Sequence, residues 1–93
     1  GSSAYKAGRK DYILYGSTKA ALVNMVQGAS EALVDQNINI NVFNPPKTNT
    51  LSLQRFLPND DRSSWADPVD VGRGVVDLLL SDETGKIYDY TTK

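Results

Sequence analysis

The chain has 93 residues, no cysteine or histidine, and a net charge of −1 from 10 basic and 11 acidic side chains. This composition excludes disulfide bonds, thiolate or imidazole metal sites, and catalysis by a cysteine nucleophile or a histidine base. A near-neutral charge argues against nucleic acid as the main partner, because phosphate binding requires a basic surplus. The absence of cysteine is compatible with a reducing, cytoplasmic location.

Residues 13–36 predict one long helix, because apolar side chains recur there at helical spacing and should face a core. These side chains are Leu22, Met25, Val26, Ala29 and Leu33. Gly28 lies inside the pattern, where a small residue often marks a close approach between helices. No apolar run approaches the roughly 20 residues that a membrane span requires, so we expect no membrane contact.

Residues 37–43 alternate polar and apolar side chains and predict a β-strand, which Asn44-Pro45-Pro46 ends. A short helix is expected over the apolar patch that precedes Pro58. That patch consists of Leu51, Leu53, Phe56 and Leu57.

Asp67-Pro68 predicts the start of another helix, with Asp67 as N-cap and Pro68 in its first turn. Its apolar stripe runs through Val71, Val75, Leu78 and Leu79 to about Leu80, and 86–92 should form a last strand after a turn at Thr84-Gly85. Strands that alternate with helices indicate a parallel sheet. Two or three such strands cannot close a core, so the pattern predicts an α/β fold that is one half of a doubly wound sheet.

Tyr15 and Lys19 are four residues apart and therefore share one face of the long helix. The pKa of a tyrosine in water is about 10, and a neighbouring ammonium group favours the phenolate form. Such a pair can serve as a general acid, although most pairs at this spacing are surface contacts. A hydroxyl from Ser2 or Ser3 could hold a substrate oxygen beside it.

The Ser2-Ser3 pair, Tyr15-x-x-x-Lys19 at a helix start and a strand that ends in Asn44-Pro45-Pro46 together resemble the short-chain dehydrogenase/reductase family. The last helix and strand match as well, so the resemblance covers essentially all of residues 1–93. It implies the C-terminal part of a Rossmann-type reductase domain whose dinucleotide-binding N-terminal part is absent. The chain further resembles the reductase half of bifunctional enzymes that fuse a cytidylyltransferase to a ribulose 5-phosphate reductase and make CDP-ribitol for capsule or teichoic acid biosynthesis.

The resemblance implies an oxidoreductase that uses NADP or NAD to reduce a carbonyl, such as a sugar-phosphate ketone, and that needs no metal. Tyr15 would exchange a proton with the substrate oxygen, and Lys19 would hold the nicotinamide ribose. For the serine that binds the substrate oxygen, the spacing favours Ser2 and the Ser-Ser-Ala run favours Ser3, which we prefer. The expected cofactor contacts are Tyr15, Lys19, Pro45, Pro46, Thr48 and Thr50.

The resemblance also implies that residues 51–64 form a mobile lid over a small-molecule substrate and that the protein is a homo-oligomer. Arg55 and Arg62 could meet a substrate phosphate, although a solvated surface role is favoured. The alternative function is a non-catalytic dimerisation module that keeps the family's helical interface. Its interface would use small residues of the long helix, namely Ala21, Gly28, Ala29 and Ala32.

Three features depart from the family pattern. Pro46 stands where a glycine is usual, which removes an N–H and fixes φ, so the nicotinamide loop must be rebuilt. The family's catalytic asparagine and its glycine-rich phosphate loop are absent from these residues, and Gly72-Arg73-Gly74 lies inside a predicted helix.

We expect Trp65 to be a packing anchor and residues 59–61 to be a solvated turn rather than a calcium loop. Tyr12 either lines the substrate entry or packs beside Tyr15.

Overall fold

The computed structural model describes Gly8 and residues 10–90 of the chain. Ser2 and Ser3, the candidate serines, lie outside the described residues. Within these residues, three α-helices and two β-strands follow one another, and short 3-10 turns flank the first helix. They are α1 (Ile13–Leu33), β1 (Val42–Asn44), α2 (Leu51–Phe56), α3 (Pro68–Leu79) and β2 (Ile87–Asp89).

The two strands pair in parallel, with Val42 opposite Ile87 and Asn44 opposite Asp89, which confirms the predicted parallel sheet. The first strand is shorter than predicted, because residues 38–41 do not join the ladder. Asn37 has a left-handed backbone with a φ of 58°. Beyond it, the Ile40 carbonyl accepts a hydrogen bond from the Gly85 N–H at 2.8 Å. The backbone at Ile40 therefore bonds to the turn that precedes β2 and not to the strand itself.

Helix α1 packs on one face of the sheet through Val23, Val26 and Val42, which form a small buried cluster. Ser30 is also buried, and it continues the same helical stripe at the C-terminal end of α1. The prediction that Met25 faces the core is wrong, since Met25 is 62% exposed. The sheet is only two strands wide, so it covers a narrow stripe of α1, and Met25 lies on a different side of the helix.

Helix α3 packs on the opposite face of the sheet, where Phe43, Tyr88 and Tyr90 project. Gly74 makes this approach close: a Cβ there would lie 3.0 Å from the Tyr90 ring and 3.2 Å from the Phe43 ring. Helices therefore cover both faces of the two strands, as in a doubly wound fold. The inward stripe predicted for α3 is wrong at its C-terminal end, where Leu79 is 77% exposed and Leu80 is 80% exposed.

Capping side chains start the two shorter helices, and the sequence predicts the cap of α3. The carboxylate of Asp67 accepts a hydrogen bond from the Val69 N–H at 2.8 Å, and Pro68 follows as the first helical residue. The hydroxyl of Thr50 accepts from the Leu53 N–H at 3.2 Å and caps α2. Within the part of the chain that the structure describes, no helix is long and apolar enough to cross a membrane.

Candidate active site

The first turns of α1 carry the tyrosine–lysine pair. The Nζ atom of Lys19 lies 5.3 Å from the ring centroid of Tyr15, within the range of a cation–π contact. Tyr15 is 47% exposed and Lys19 is half-buried. Neither the phenol oxygen nor the ammonium group has a hydrogen-bond or ion-pair partner among the described residues, so both remain available for a ligand.

Tyr12 packs beside Tyr15, with ring centroids 6.0 Å apart and the planes tilted by 60°. This contact confirms the packing of Tyr12 beside Tyr15, and Tyr12 remains 42% exposed. The hydroxyls of Ser17 and Thr18 bond back to the carbonyls of Ile13 and Tyr15, at 2.7 and 2.8 Å. The hydroxyl groups between Tyr15 and Lys19 thus bond to carbonyls of the same helix, whereas the phenol and ammonium groups of the pair stay unbonded among the described residues.

The direction of α1 brings this pair to the carboxyl edge of the sheet. Gly85, which precedes β2, contacts Ser30 near the C-terminal end of α1, so the helix runs antiparallel to the strands. Its N-terminal turns, with Tyr15 and Lys19, therefore point toward the ends of β1 and β2. Ligands of open α/β sheets bind at the carboxyl ends of the strands.

At that same edge, Asn44 closes β1 and donates its Nδ2 hydrogen to Oδ1 of Asp89 at 2.9 Å, which links the two strand ends. Asn44 is 3% exposed, and its Oδ1 has no hydrogen-bond partner in the described part of the chain.

The segment after β1 folds into consecutive turns instead of a glycine loop. The Thr48 hydroxyl donates to the Pro46 carbonyl at 3.0 Å, and the Thr50 N–H donates to the Thr48 carbonyl at 2.8 Å. The side chain of Thr48 thereby supports the backbone around Pro46, where the N–H of the usual glycine is lost. Pro45 is exposed and Pro46 is half-buried. These hydrogen bonds hold the backbone of the segment that the family resemblance assigns to the cofactor.

The loop that carries α2 is closed at its base. Thr48 and Ala66 form an isolated parallel bridge, with the Asn49 N–H donating to the Ala66 carbonyl at 2.9 Å and the Ala66 N–H to the Lys47 carbonyl at 2.8 Å. Residues 50–64 therefore leave and return at one point, which is the arrangement of an Ω-loop.

One carboxylate reinforces this closure. Oδ2 of Asp60 accepts from Lys47 Nζ at 3.0 Å and from Trp65 Nε1 at 3.2 Å. Trp65 is 8% exposed, which confirms its expected packing role, and the guanidinium of Arg62 lies 5.8 Å from its ring. We call Lys47, Asp60 and Trp65 the Asp60 latch. The sequence reasoning missed it, since residues 13 positions apart with no repeating pattern give no local signal.

These contacts favour the ionised carboxylates. The hydrogen bond from Lys47 lowers the pKa of Asp60 below its usual 3.8, with a smaller contribution from Trp65. The Ser63 backbone N–H, which donates to Oδ1 of Asp61 at 3.0 Å, likewise lowers the pKa of Asp61. The expected solvated turn over residues 59–61 is therefore more ordered than its composition suggests.

A cavity of about 660 Å³ lies on the other face of the sheet, between α3 and β2. Its lining includes Asp70, Asp77, Tyr88 and Tyr90, and it includes none of Tyr15, Lys19, Thr48 or Thr50. Arg73 and Lys86 also line it, but they pair with Asp70 at 3.6 Å and Glu83 at 2.9 Å. Chemistry and topology therefore place the candidate active site at the carboxyl edge, and its tyrosine, lysine and threonines do not line this cavity.

Solved structures identify the class of protein that this fold defines. The chain is similar to a short-chain dehydrogenase of Salmonella enterica serovar Typhi, with 25% identity and a TM-score of 0.81 over 95% of the chain. It is also similar to ElxO with bound NADP (27%, TM-score 0.77) and to an Escherichia coli short-chain dehydrogenase complexed with NADPH (26%, TM-score 0.79). The fold is thus the C-terminal portion of the short-chain dehydrogenase/reductase Rossmann fold. No profile of a known protein family matches the chain.

Among characterised proteins, the chain is 37% identical over 92 residues to Bcs1 of Haemophilus influenzae, a bifunctional ribulose 5-phosphate reductase/CDP-ribitol pyrophosphorylase. This match covers 99% of the chain, and it confirms the resemblance to bifunctional enzymes of this type. The chain spans 19% of the length of Bcs1 and 37%, 41% and 38% of the three solved structures above.

Proposed function

We propose that the chain is the C-terminal part of an NADP-dependent reductase that converts ribulose 5-phosphate to ribitol 5-phosphate, joined in one protein to a cytidylyltransferase. The observation that carries the proposal is the tyrosine–lysine pair, with its free polar groups at the carboxyl edge of the sheet. Bcs1, which is similar along nearly the whole chain, supports the substrate class. The NADP-bound structures support NADP as the cofactor.

In this proposal the Tyr15 phenol gives its proton to the carbonyl oxygen of the substrate, and the Lys19 ammonium favours the resulting phenolate. Lys19 also holds the ribose hydroxyls of the cofactor, a role that suits its half-buried, unpaired ammonium. Ser3, with Ser2 as the alternative, would bind the substrate oxygen. When bound, NADPH supplies the hydride, which is the chemistry of the cofactor itself.

The cofactor-facing segment in this proposal consists of Pro45, Pro46, Thr48 and Thr50. The Thr50 hydroxyl accepts the α2 cap bond but can still donate its own hydrogen, and the backbone of Thr48 is held by the bridge to Ala66. The residues present therefore fit the nicotinamide end of NADPH. The helical position of Gly72-Arg73-Gly74 excludes that motif as a glycine-rich phosphate loop.

The test is NADPH oxidation by the full-length protein with ribulose 5-phosphate. Replacing the proton donor in Tyr15→Phe should lower kcat by about 10²- to 10⁴-fold, because general acid catalysis contributes that much. Tyr12→Phe is the matched control: it removes a phenol oxygen from the adjacent ring and should keep the wild-type rate. Equal rates for Tyr15→Phe and wild type would contradict the proposal.

A second candidate function is a non-catalytic dimerisation module, which the open side of α1 favours. Ala21, Met25, Gly28 and Ala32 share one exposed side of that helix, and a Cβ at Gly28 would have nothing within 4 Å. The close helix approach predicted at Gly28 does not occur among the described residues. Homo-oligomerisation through this side is also compatible with the reductase, as is the cytoplasmic location that the lack of cysteine suggests.

A further inference from the structure

We propose that the Asp60 latch is a positioning device for the cofactor-facing segment, so that Asp60 and Lys47 set the affinity for NADPH without touching it. The inference rests on the proposed function, since it assumes that Thr48 and Thr50 face the cofactor. Its own evidence is the way in which the latch joins the two ends of the loop over residues 50–64.

The latch acts on the backbone that carries the two threonines. Lys47 immediately precedes Thr48, and its carbonyl is one half of the bridge to Ala66. Asp60 lies near the far end of the loop, and Trp65 immediately precedes Ala66. Both donors to Oδ2 of Asp60 therefore flank the bridge, one on each strand of it.

An exposed ion pair alone would not justify this role. The side chains of Lys47 and Asp60 are 57% and 36% exposed, and such pairs contribute little by themselves. Here the same carboxylate oxygen also accepts from the indole of Trp65, which is buried and therefore fixed in position. The carboxylate thus ties a flexible lysine to a fixed ring, and the Arg62 guanidinium over that ring adds a second link to the loop.

Loss of the latch should release the loop and the segment before it. The bridge would then be held by its two backbone hydrogen bonds alone, and Thr48 and Thr50 would sample positions that do not suit the cofactor. A ligand binds less tightly when only a fraction of the protein is in the binding-competent arrangement. The reacting groups on α1 are outside the loop, so the chemical step should change little once the cofactor is bound.

The experiment uses the full-length protein and two readouts. Trypsin cleavage after Arg55 and Arg62, followed by mass spectrometry, measures opening of the loop, because proteolysis follows the population of the open form. Steady-state kinetics then give KM for NADPH and kcat separately. The variants are Asp60→Asn and Lys47→Met, singly and together, with Lys47→Arg as the conservative replacement.

We expect each charge-removing variant to speed cleavage at both arginines and to raise KM for NADPH, in each case roughly three- to tenfold. The value of kcat should stay within about twofold, and the double variant should match Asp60→Asn, because the Asp60 carboxylate is the acceptor for both donors of the latch. Lys47→Arg should recover most of the wild-type affinity. Asp70→Asn is the matched control: it removes an exposed carboxylate paired with Arg73 on α3 and should match wild type in both readouts.

If Asp60→Asn leaves both cleavage and KM unchanged while the wild type uses NADPH, the latch proposal is overturned and the proposed function stands. A fall in kcat with unchanged KM would also overturn it, since that pattern indicates a role in the chemical step. If the wild-type protein neither binds NADPH in calorimetry nor oxidises it, the proposed function fails, and the cofactor role of the latch fails with it. Faster cleavage together with a raised KM supports both.

Discussion

Asp60 links the protonation state of one side chain to the order of a whole loop. Its pKa is lowered first by the hydrogen bond from Lys47 and then by that from Trp65, while burial and the neighbouring Asp61 oppose the shift. A carboxylate whose pKa is lower in the folded state stabilises that state at every pH above its ordinary value. That contribution is lost as the pH falls below 3.8 and through the lowered pKa.

We therefore expect trypsin-sensitive opening of the loop to be insensitive to pH near neutrality. Between about pH 2 and pH 4, where the acid protease pepsin replaces trypsin, cleavage within residues 50–64 should be faster than the closed loop allows. Asp60→Asn, already open, should respond less steeply than wild type, and Asp61, stabilised by Ser63, would account for its remaining response. Identical pH responses of the two proteins would show that Asp60 does not carry this dependence.

Single residues differ in how far the sequence predicts them. The shared face of Tyr15 and Lys19 follows from helical spacing alone, and the structure places their groups 5.3 Å apart, centroid to Nζ. The latch was not predictable, because Lys47, Asp60 and Trp65 meet only after the loop has closed. Composition predicts a solvated turn at Asp60, but it carries no information about which donors will reach the carboxylate.

At the scale of the element, α3 offers a direct test of its packing on the sheet. Gly72 and Gly74 lie in the same helix, but a Cβ at Gly72 meets nothing within 4 Å, whereas one at Gly74 meets the rings of Tyr90 and Phe43 at 3.0 and 3.2 Å. Gly72→Ala should raise the free energy of unfolding by up to about 1 kcal/mol through helix propensity. The free energy of unfolding of Gly74→Ala should be lower than that of Gly72→Ala by about 1 to 3 kcal/mol, because the added methyl group overpacks the contact with the rings.

Denaturant unfolding of the full-length protein measures both variants under the same conditions, and each acts as the control for the other. Equal stabilities would mean that α3 does not sit closely on Phe43 and Tyr90. A loss confined to Gly74→Ala, with retained activity, would place the effect in helix-to-sheet packing and away from the tyrosine–lysine pair.

Helices were predicted better than strands in this chain. The adjacent residues Asp67 and Pro68 predict the start of α3, and the structure confirms Asp67 as the N-cap and Pro68 as the first helical residue. The strand predicted over residues 37–43 shifted to Val42–Asn44, because the side chains of Thr84 and Asn41 and the turn at Gly85 take the hydrogen bonds that a ladder would have used. Alternation predicts a strand, but the partner strand decides where pairing begins.

At the scale of the molecule, the open side of α1 predicts the oligomeric state. Ala32→Glu places a charge among Ala21, Met25 and Gly28, and it should weaken any assembly that buries this side. Light scattering of the full-length protein should show a shift toward smaller species at micromolar concentration. Gln27→Glu, which adds the same charge on another side of the helix, is the matched control.

A wild-type protein that is monomeric at all concentrations would contradict both the homo-oligomer and the dimerisation module. If Ala32→Glu assembles as the wild type does, the interface must lie on another surface of the protein. The radius of gyration of the chain, 14.9 Å, exceeds the roughly 12 Å of a compact domain of this length, so much surface is available for such contacts.

The parallel pairing of β1 with β2 has a consequence for the order of folding. Asn44 and Asp89, which join the strand ends, are 45 residues apart in sequence. The chain must therefore lose the entropy of closing a long segment before this contact can stabilise it. The helices between them form from local contacts and need no such closure. We therefore expect β2 to dock late, after α1 and α3 have formed, and substitutions in β2 to accelerate unfolding more than they slow folding.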